Sequence, residues 1–242
     1  MNREIFVLSL RQLLGRRRTF ALVALALLPL LVALVFRMGG TDTDPVDWTA
    51  NSLLEGLVVT TLLPLVTLVL STTSLGMEIE DGTIVYLLSK PLSRAQVVIA
   101  KLVASWLPAG ALVSLSAAAS AAIALPKSEP GLILAFAVAA CLGALAYSSV
   151  FLLLSLLTSR ALVFGLIYVF IWEGLVTGIF SGTRALSVRE YTLGVADLLT
   201  AARQFDARLD GVTALVLMVV VTIAFVALAI RRLNRFETRS LF

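Results

Sequence analysis

Six apolar stretches, almost free of charge, divide this 242-residue chain, and they restrict its fold more than any other feature. They cover 19–36, 56–77, 102–126, 130–159, 161–182 and 211–230, and only the fifth is interrupted, by Glu173. At about 1.5 Å per residue, helices of these lengths suit a hydrocarbon core about 30 Å thick, which takes roughly 20 residues to cross. Only 14% of the residues are charged, against roughly a quarter in soluble domains. The expected fold is an all-α polytopic membrane protein, a single domain over 1–242 with six transmembrane helices. Between 159 and 161 only Arg160 separates two blocks, so a turn and one bent helix are both open there.

Composition removes several chemistries. The chain has no histidine, which excludes haem ligation, most transition-metal sites and most general-base arrangements. Its single cysteine, Cys141, sits in an apolar block and reads as a small buried hydrophobe. The net charge of +4 does not point to nucleic acid, because the basic residues flank apolar blocks as membrane anchors.

Those basic residues predict orientation. With six spans, one side holds 13 of them: Arg3, Arg11, Arg16, Arg17, Arg18, Lys90, Arg94, Lys101, Arg160, Arg231, Arg232, Arg235 and Arg239. The other holds 6: Arg37, Lys127, Arg184, Arg189, Arg203 and Arg208. The richer side is expected to be cytoplasmic, with both termini on it and the chain in the inner membrane. Arg16–Arg18 ahead of an apolar run imitates a twin-arginine signal, but the run is long and no A-x-A pattern follows, so no cleavage is expected. Residues 1–18 mix Ile5, Phe6, Leu10, Leu13 and Leu14 with arginines. They suit an amphipathic helix in the inner interface or an ordinary extension of the first span.

Between the second and third blocks lies MEIEDGTIVYLLSKPLSRAQVVIAK, Met77 to Lys101, dense in charges and turn residues. Asp81 can cap a short helix over 83–89, with Gly82 tolerated in its first turn. That helix must end by Lys90, since Pro91 disfavours the α region for its predecessor. Ser93 and Gln96 form a capping box for the next helix, and Leu92 and Val97 are placed as its hydrophobic staple. The short helix carries Ile84, Val85, Tyr86, Leu87 and Leu88. Either the membrane interface or a partner's groove must bury them.

This segment closely resembles the region between the second and third spans of ABC-2 type transporter permeases. The family pattern falls on Glu78, Glu80, Gly82, Thr83, Leu87, Leu88, Lys90, Pro91, Ser93, Arg94 and Lys101 without departure. The proline-serine-arginine turn is similar to that of the small separate permease subunits, a branch that includes the nitrous-oxide-reductase maturation permease. In layout, 1–18 resembles the family's elbow helix and 183–210 its outer loop with short helices. The resemblance implies that 78–101 is a cytoplasmic coupling segment. Glu78, Glu80, Asp81, Gly82, Thr83, Ile84, Tyr86, Leu87, Lys90, Pro91, Ser93 and Arg94 would be its ATPase-contact residues. It also implies a permease homodimer with two copies of a separate ABC ATPase subunit. The chain has no G-x-x-x-x-G-K-[ST] phosphate loop. ATP and Mg2+ are therefore expected in the partner ATPase, with no cofactor, metal or catalytic residue in this chain.

Other features leave alternatives. An ionisable group at membrane depth is costly, so Glu173 is either a pathway or gating residue or lies at the outer interface where the helix breaks at Gly174. Gly174, Gly178 and Gly182 recur every four residues, as in a helix-packing or dimer contact, or in close packing within one subunit. Ala135, Ala139 and Gly143 make a commoner stripe of the same kind. TDTDPVD at 41–47 lacks the glycine and distal glutamate of a calcium loop and reads as an outer turn. Arg231, Arg232 and Arg235 anchor the end of the last span.

The expected function is the permease subunit of an ATP-driven exporter. An ATPase-linked scaffold that passes motion to a periplasmic partner would need the same coupling helix. A secondary carrier would need a broken helix or charge pair in each half, and only Glu173 offers one. An intramembrane enzyme lacks the clustered catalytic groups.

Overall fold

The computed structural model describes residues 16–39, 43–80, 93–125, 129–179, 181–200, 205 and 207–236, most of them helical and with no strand among them. Helix α1 is Arg16–Met38. Helix α2 is continuous through Pro45–Asp47, Trp48–Leu62 and Leu63–Glu80, its middle part wound to the wider π pitch. Helices α3 and α4 are Arg94–Ala124 and Pro130–Leu157. Helix α5 runs through Ala161–Ile167, a π-wound Tyr168–Val176 and Thr177–Ile179. A 3₁₀ turn over Ser181–Leu186 leads to α6, Val188–Leu199, and α7 is Gly211–Phe236.

Local chemistry sets many of these boundaries. Ser93, in extended conformation, accepts from Gln96 N at 3.4 Å and starts α3 as its capping residue. Leu125 leaves the helix at ψ 123°, as the residue before Pro126 should. Pro130 opens α4 at its first position, where a missing N–H costs nothing. Within the acidic stretch read as an outer turn, Asp44 accepts from Val46 N at 3.1 Å and Pro45 begins α2, so these residues cap a helix. At the open question near Arg160, Thr158 is extended at φ −145°, ψ 142°, which makes α4 and α5 separate helices.

Among the described residues, five helices are long and apolar enough to cross a membrane: α1, α2, α3, α4 and α7. The fifth sequence block yields a shorter apolar helix, Ala161–Val176, then three more helical residues before the chain turns over Ser181–Leu186. The turn returns Ser187 to the level of Glu173, so the last part of that block does not extend α5.

Helix α4 is the hub and packs against α2, α3, α5, α6 and α7. Its small residues Ala135, Ala139, Ala140, Gly143, Ala144 and Ala146 are buried and let neighbours approach closely. A side chain at Gly143 would run into Thr192 of α6 and Leu63 of α2, so glycine is required for that approach. The spans differ sharply in enclosure. The most apolar window of α4 is 67% buried, whereas those of α1 and α7 are 22% and 17% buried. Leu31, Val35, Val212, Val216, Val220 and Ile223 face outward, the arrangement expected of helices bathed in lipid.

Candidate functional site

Twelve positions along α5 from Ala161 stands Glu173, at most about 18 Å from that end of the helix. Glu173 is only 3% exposed. A buried charge needs donors, and α6 supplies them. Val188 N donates to Oε1 at 3.0 Å and Arg189 N to Oε2 at 3.4 Å. These are first-turn amides with no partner inside their own helix. The Ser187 hydroxyl donates to Oε2 and accepts from Glu190 N at 3.2 Å, while Tyr168 Oη donates to Oε1 at 2.9 Å. The carboxylate is thus a cap supplied from α5 to the N-terminus of α6, where the helix dipole also favours negative charge.

The helix does not break at Gly174, because Thr177 N reaches back five residues to Trp172 O and its hydroxyl bonds Glu173 O at 2.7 Å. Glu173 faces the protein interior.

Further polar groups gather around this joint. Arg189 extends an Nη2 to Glu55 Oε1 of α2 at 3.1 Å, the two side chains being 14% and 22% exposed. Tyr191 Oη donates to Ala185 O, and Trp172 Nε1 donates to Leu186 O at 3.2 Å, so the 3₁₀ turn is bound from both sides. Glu190 is fully buried, and no described donor bonds its carboxylate; Arg208 Nη1 stands 3.9 Å from Oε1. Together these contacts tie α2, α5, α6 and the approach to α7. The arrangement holds helices in register. No group of three His, Cys, Asp or Glu that could hold a metal occurs among the described residues.

The other sequence-derived candidates separate into two sets. Asp81, Gly82, Thr83, Ile84, Tyr86, Leu87, Lys90 and Pro91 lie outside the described residues, as does 1–15 of the elbow segment. Glu78 and Glu80 fall on the last turn of α2, and Ser93 and Arg94 start α3. These helices pack together, and Ser74 Oγ donates to Lys101 O at 3.3 Å, so 81–92 joins the ends of a packed helical hairpin. Gly174 is exposed, its nearest neighbour for an added methyl being Val169 O at 3.7 Å, and Gly182 has nothing within 4 Å. Neither provides close packing within the chain.

Tyr168, Ser187, Arg189, Glu55 and Glu190 were not recognised from sequence as members of one site. A signal existed for part of it: Ser187-Val188-Arg189-Glu190 has the S-x-x-E form of a capping box. Nothing in the linear sequence said that Glu173, 14 residues upstream, would take up the first amides.

A protein-family model described as ABC-2 family transporter protein matches residues 14–182, which include α1 to α5. No curated protein matches the chain.

Proposed function

Because the chain belongs to the ABC-2 family of transporter proteins, we propose that it is the membrane-spanning permease subunit of an ATP-driven exporter. A separate ATPase subunit binds and hydrolyses ATP with Mg2+, and this chain turns that motion into movement of its helices. The family match, spanning the α2–α3 hairpin and its connecting segment, is the observation that carries the reading. In this reading 78–101 lies in the cytoplasm, both termini share that side of the inner membrane, and 83–89 seats in a groove of the ATPase.

Two permease copies would pair, each with its own ATPase. The open faces at Gly174 and Gly182, beside exposed Phe170, Ile171, Leu175 and Ile179, support a second copy on α5. Glu173 serves as a gating joint: its carboxylate is committed to α6, so displacement of α5 carries α6 with it.

Co-purification of the tagged chain from its native membrane tests the assignment. An ATPase subunit in equal amount, lost on Tyr86→Asp, is the expected result. With no ATPase recovered in any mild detergent, an ATP-independent carrier becomes the better reading. Should the ATPase bind and cycle without solute movement, the chain is a scaffold that transmits motion to a periplasmic partner.

A further inference from the structure

Tyr147 of α4 is fully buried, and no described residue bonds its hydroxyl. A buried polar group without a partner bears its full desolvation cost and calls for a reason. The ring is fixed in place: it stacks on Phe151 with centroids 5.7 Å apart, and Phe151 meets Tyr168 edge-on at 6.2 Å. The hydroxyl interacts electrostatically with Glu173, Tyr168 and Arg189, so it faces the joint between α5 and α6. The occupancy of the carboxylate explains why no hydrogen bond forms there. A carboxylate offers about four acceptor sites. On Glu173, Oε1 takes Tyr168 Oη and Val188 N, while Oε2 takes the Ser187 hydroxyl and Arg189 N. All four sites are filled, three of them by the cap and first turn of α6, and the Tyr147 hydroxyl is left over.

We infer that Tyr147 is a positioning residue for this joint: its phenol is the donor that receives the Glu173 carboxylate when α6 lets go of it. The inference deepens the gating reading of Glu173 and rests on it. Parting α6 from α5 removes three donors and leaves the carboxylate with Tyr168, which belongs to its own helix. An ionised group so nearly bare in an apolar interior is costly. Tyr147 supplies a replacement from α4, which packs against α2, α3, α5 and α7 as well as α6 and so keeps its position when one neighbour shifts. Glu173 thus has two seats, one on α6 and one on α4. The phenol that lacks a partner in this state gains one in the other. Arg189 connects the joint to the rest of the bundle. Its guanidinium is bound to Glu55 of α2, the helix that leads into 81–92, so movement of α2 reaches the first turn of α6 directly.

Double-mutant cycles on the purified full chain in detergent, read by thermal unfolding, test the hand-over. Tyr147→Phe alone should leave the melting temperature unchanged or raise it, because the hydroxyl removed has no bond to lose. Ser187→Ala frees one site on Oε2 and Tyr168→Phe one on Oε1, and either change lets Tyr147 bond the carboxylate. In both backgrounds, adding Tyr147→Phe should lower the melting temperature by a further 3 °C or so, roughly the scale of one hydrogen bond in a chain of this length. If one background variant fails to fold, the other still decides. Additive effects in the backgrounds that fold, the result expected if the phenol instead holds a water molecule, would overturn the inference. So would a loss of stability from Tyr147→Phe alone. In vesicles reconstituted with the native ATPase, Tyr147→Phe should lower maximal ATP-driven turnover several-fold with KM for ATP unchanged, and unchanged turnover would remove the role. Because the detergent measurement needs only the permease, failure of the hand-over is read separately from failure to recover an ATPase.

Discussion

Glu173 and Ser187 are 14 residues apart in sequence and share a hydrogen bond in which the serine hydroxyl donates to Oε2. The same hydroxyl accepts from Glu190 N, so one side chain relays between a carboxylate on α5 and the first turn of α6. This contact closes the loop that begins at Ile179 and makes α5 and α6 one unit. Four donors converge on Glu173, and its removal would strand them in an interior with little water.

Glu173→Ala is therefore expected to lower stability by on the order of 3 kcal/mol, since several buried donors lose their acceptor. Glu173→Gln should cost less, because one amide oxygen still accepts. Thermal unfolding in detergent checks the order. Equal melting of Glu173→Ala and the unaltered protein would show that α6 is held by other contacts.

The Glu55–Arg189 pair links α2 to α6 while mostly shielded from solvent. A double-mutant cycle with Glu55→Gln and Arg189→Gln should give a coupling of roughly 1–2 kcal/mol, within the span for groups in direct contact. Additive single effects would mean that the 3.1 Å contact contributes no net attraction.

Gly143 and Gly182 make contrasting tests of close approach. Gly143→Leu should destabilise by about 1–3 kcal/mol through overpacking against Thr192 and Leu63. Gly182→Ala meets no atom within 4 Å and should leave the isolated chain's melting temperature unchanged. If both substitutions were equally tolerated, the α4–α6 contact would be looser than the structure has it.

Asp210 caps α7, with Thr213 N and Thr213 Oγ1 each 3.0 Å from Oδ2. The Thr213 amide holds this exposed carboxyl below its ordinary range. A carboxyl with a lowered folded value stabilises above its unfolded pKa of about 3.9, and that stabilisation is lost as pH falls through the folded value. The melting difference between the unaltered protein and Asp210→Ala should be constant from pH 5 to 7. Below pH 4 it should shrink. A difference that grew with acidification would contradict the capping geometry.

For the coupling segment, Thr83→Pro and Tyr86→Asp should each abolish ATP-driven activity while leaving membrane insertion intact. The measurement is ATPase and transport activity in the same reconstituted vesicles. Normal coupled activity in both variants would remove 83–89 as the coupling helix.

Linear chemistry was enough for features whose causes act within a few residues. Charge-free runs imply membrane-spanning helices because backbone polar groups must be satisfied inside lipid. Ser93, Pro126 and Pro130 mark helix ends because capping and proline geometry are local. The rest depends on which faces meet. The fifth block had the length of a full span, yet its final residues turn back because an interior carboxylate and the bare first turn of α6 satisfy each other. The stripe at Gly174 and Gly182 looked like packing but lies open, while the commoner stripe through Gly143 is where helices touch. Spacing defines a face of a helix, and only the neighbours' positions decide whether that face meets protein or lipid.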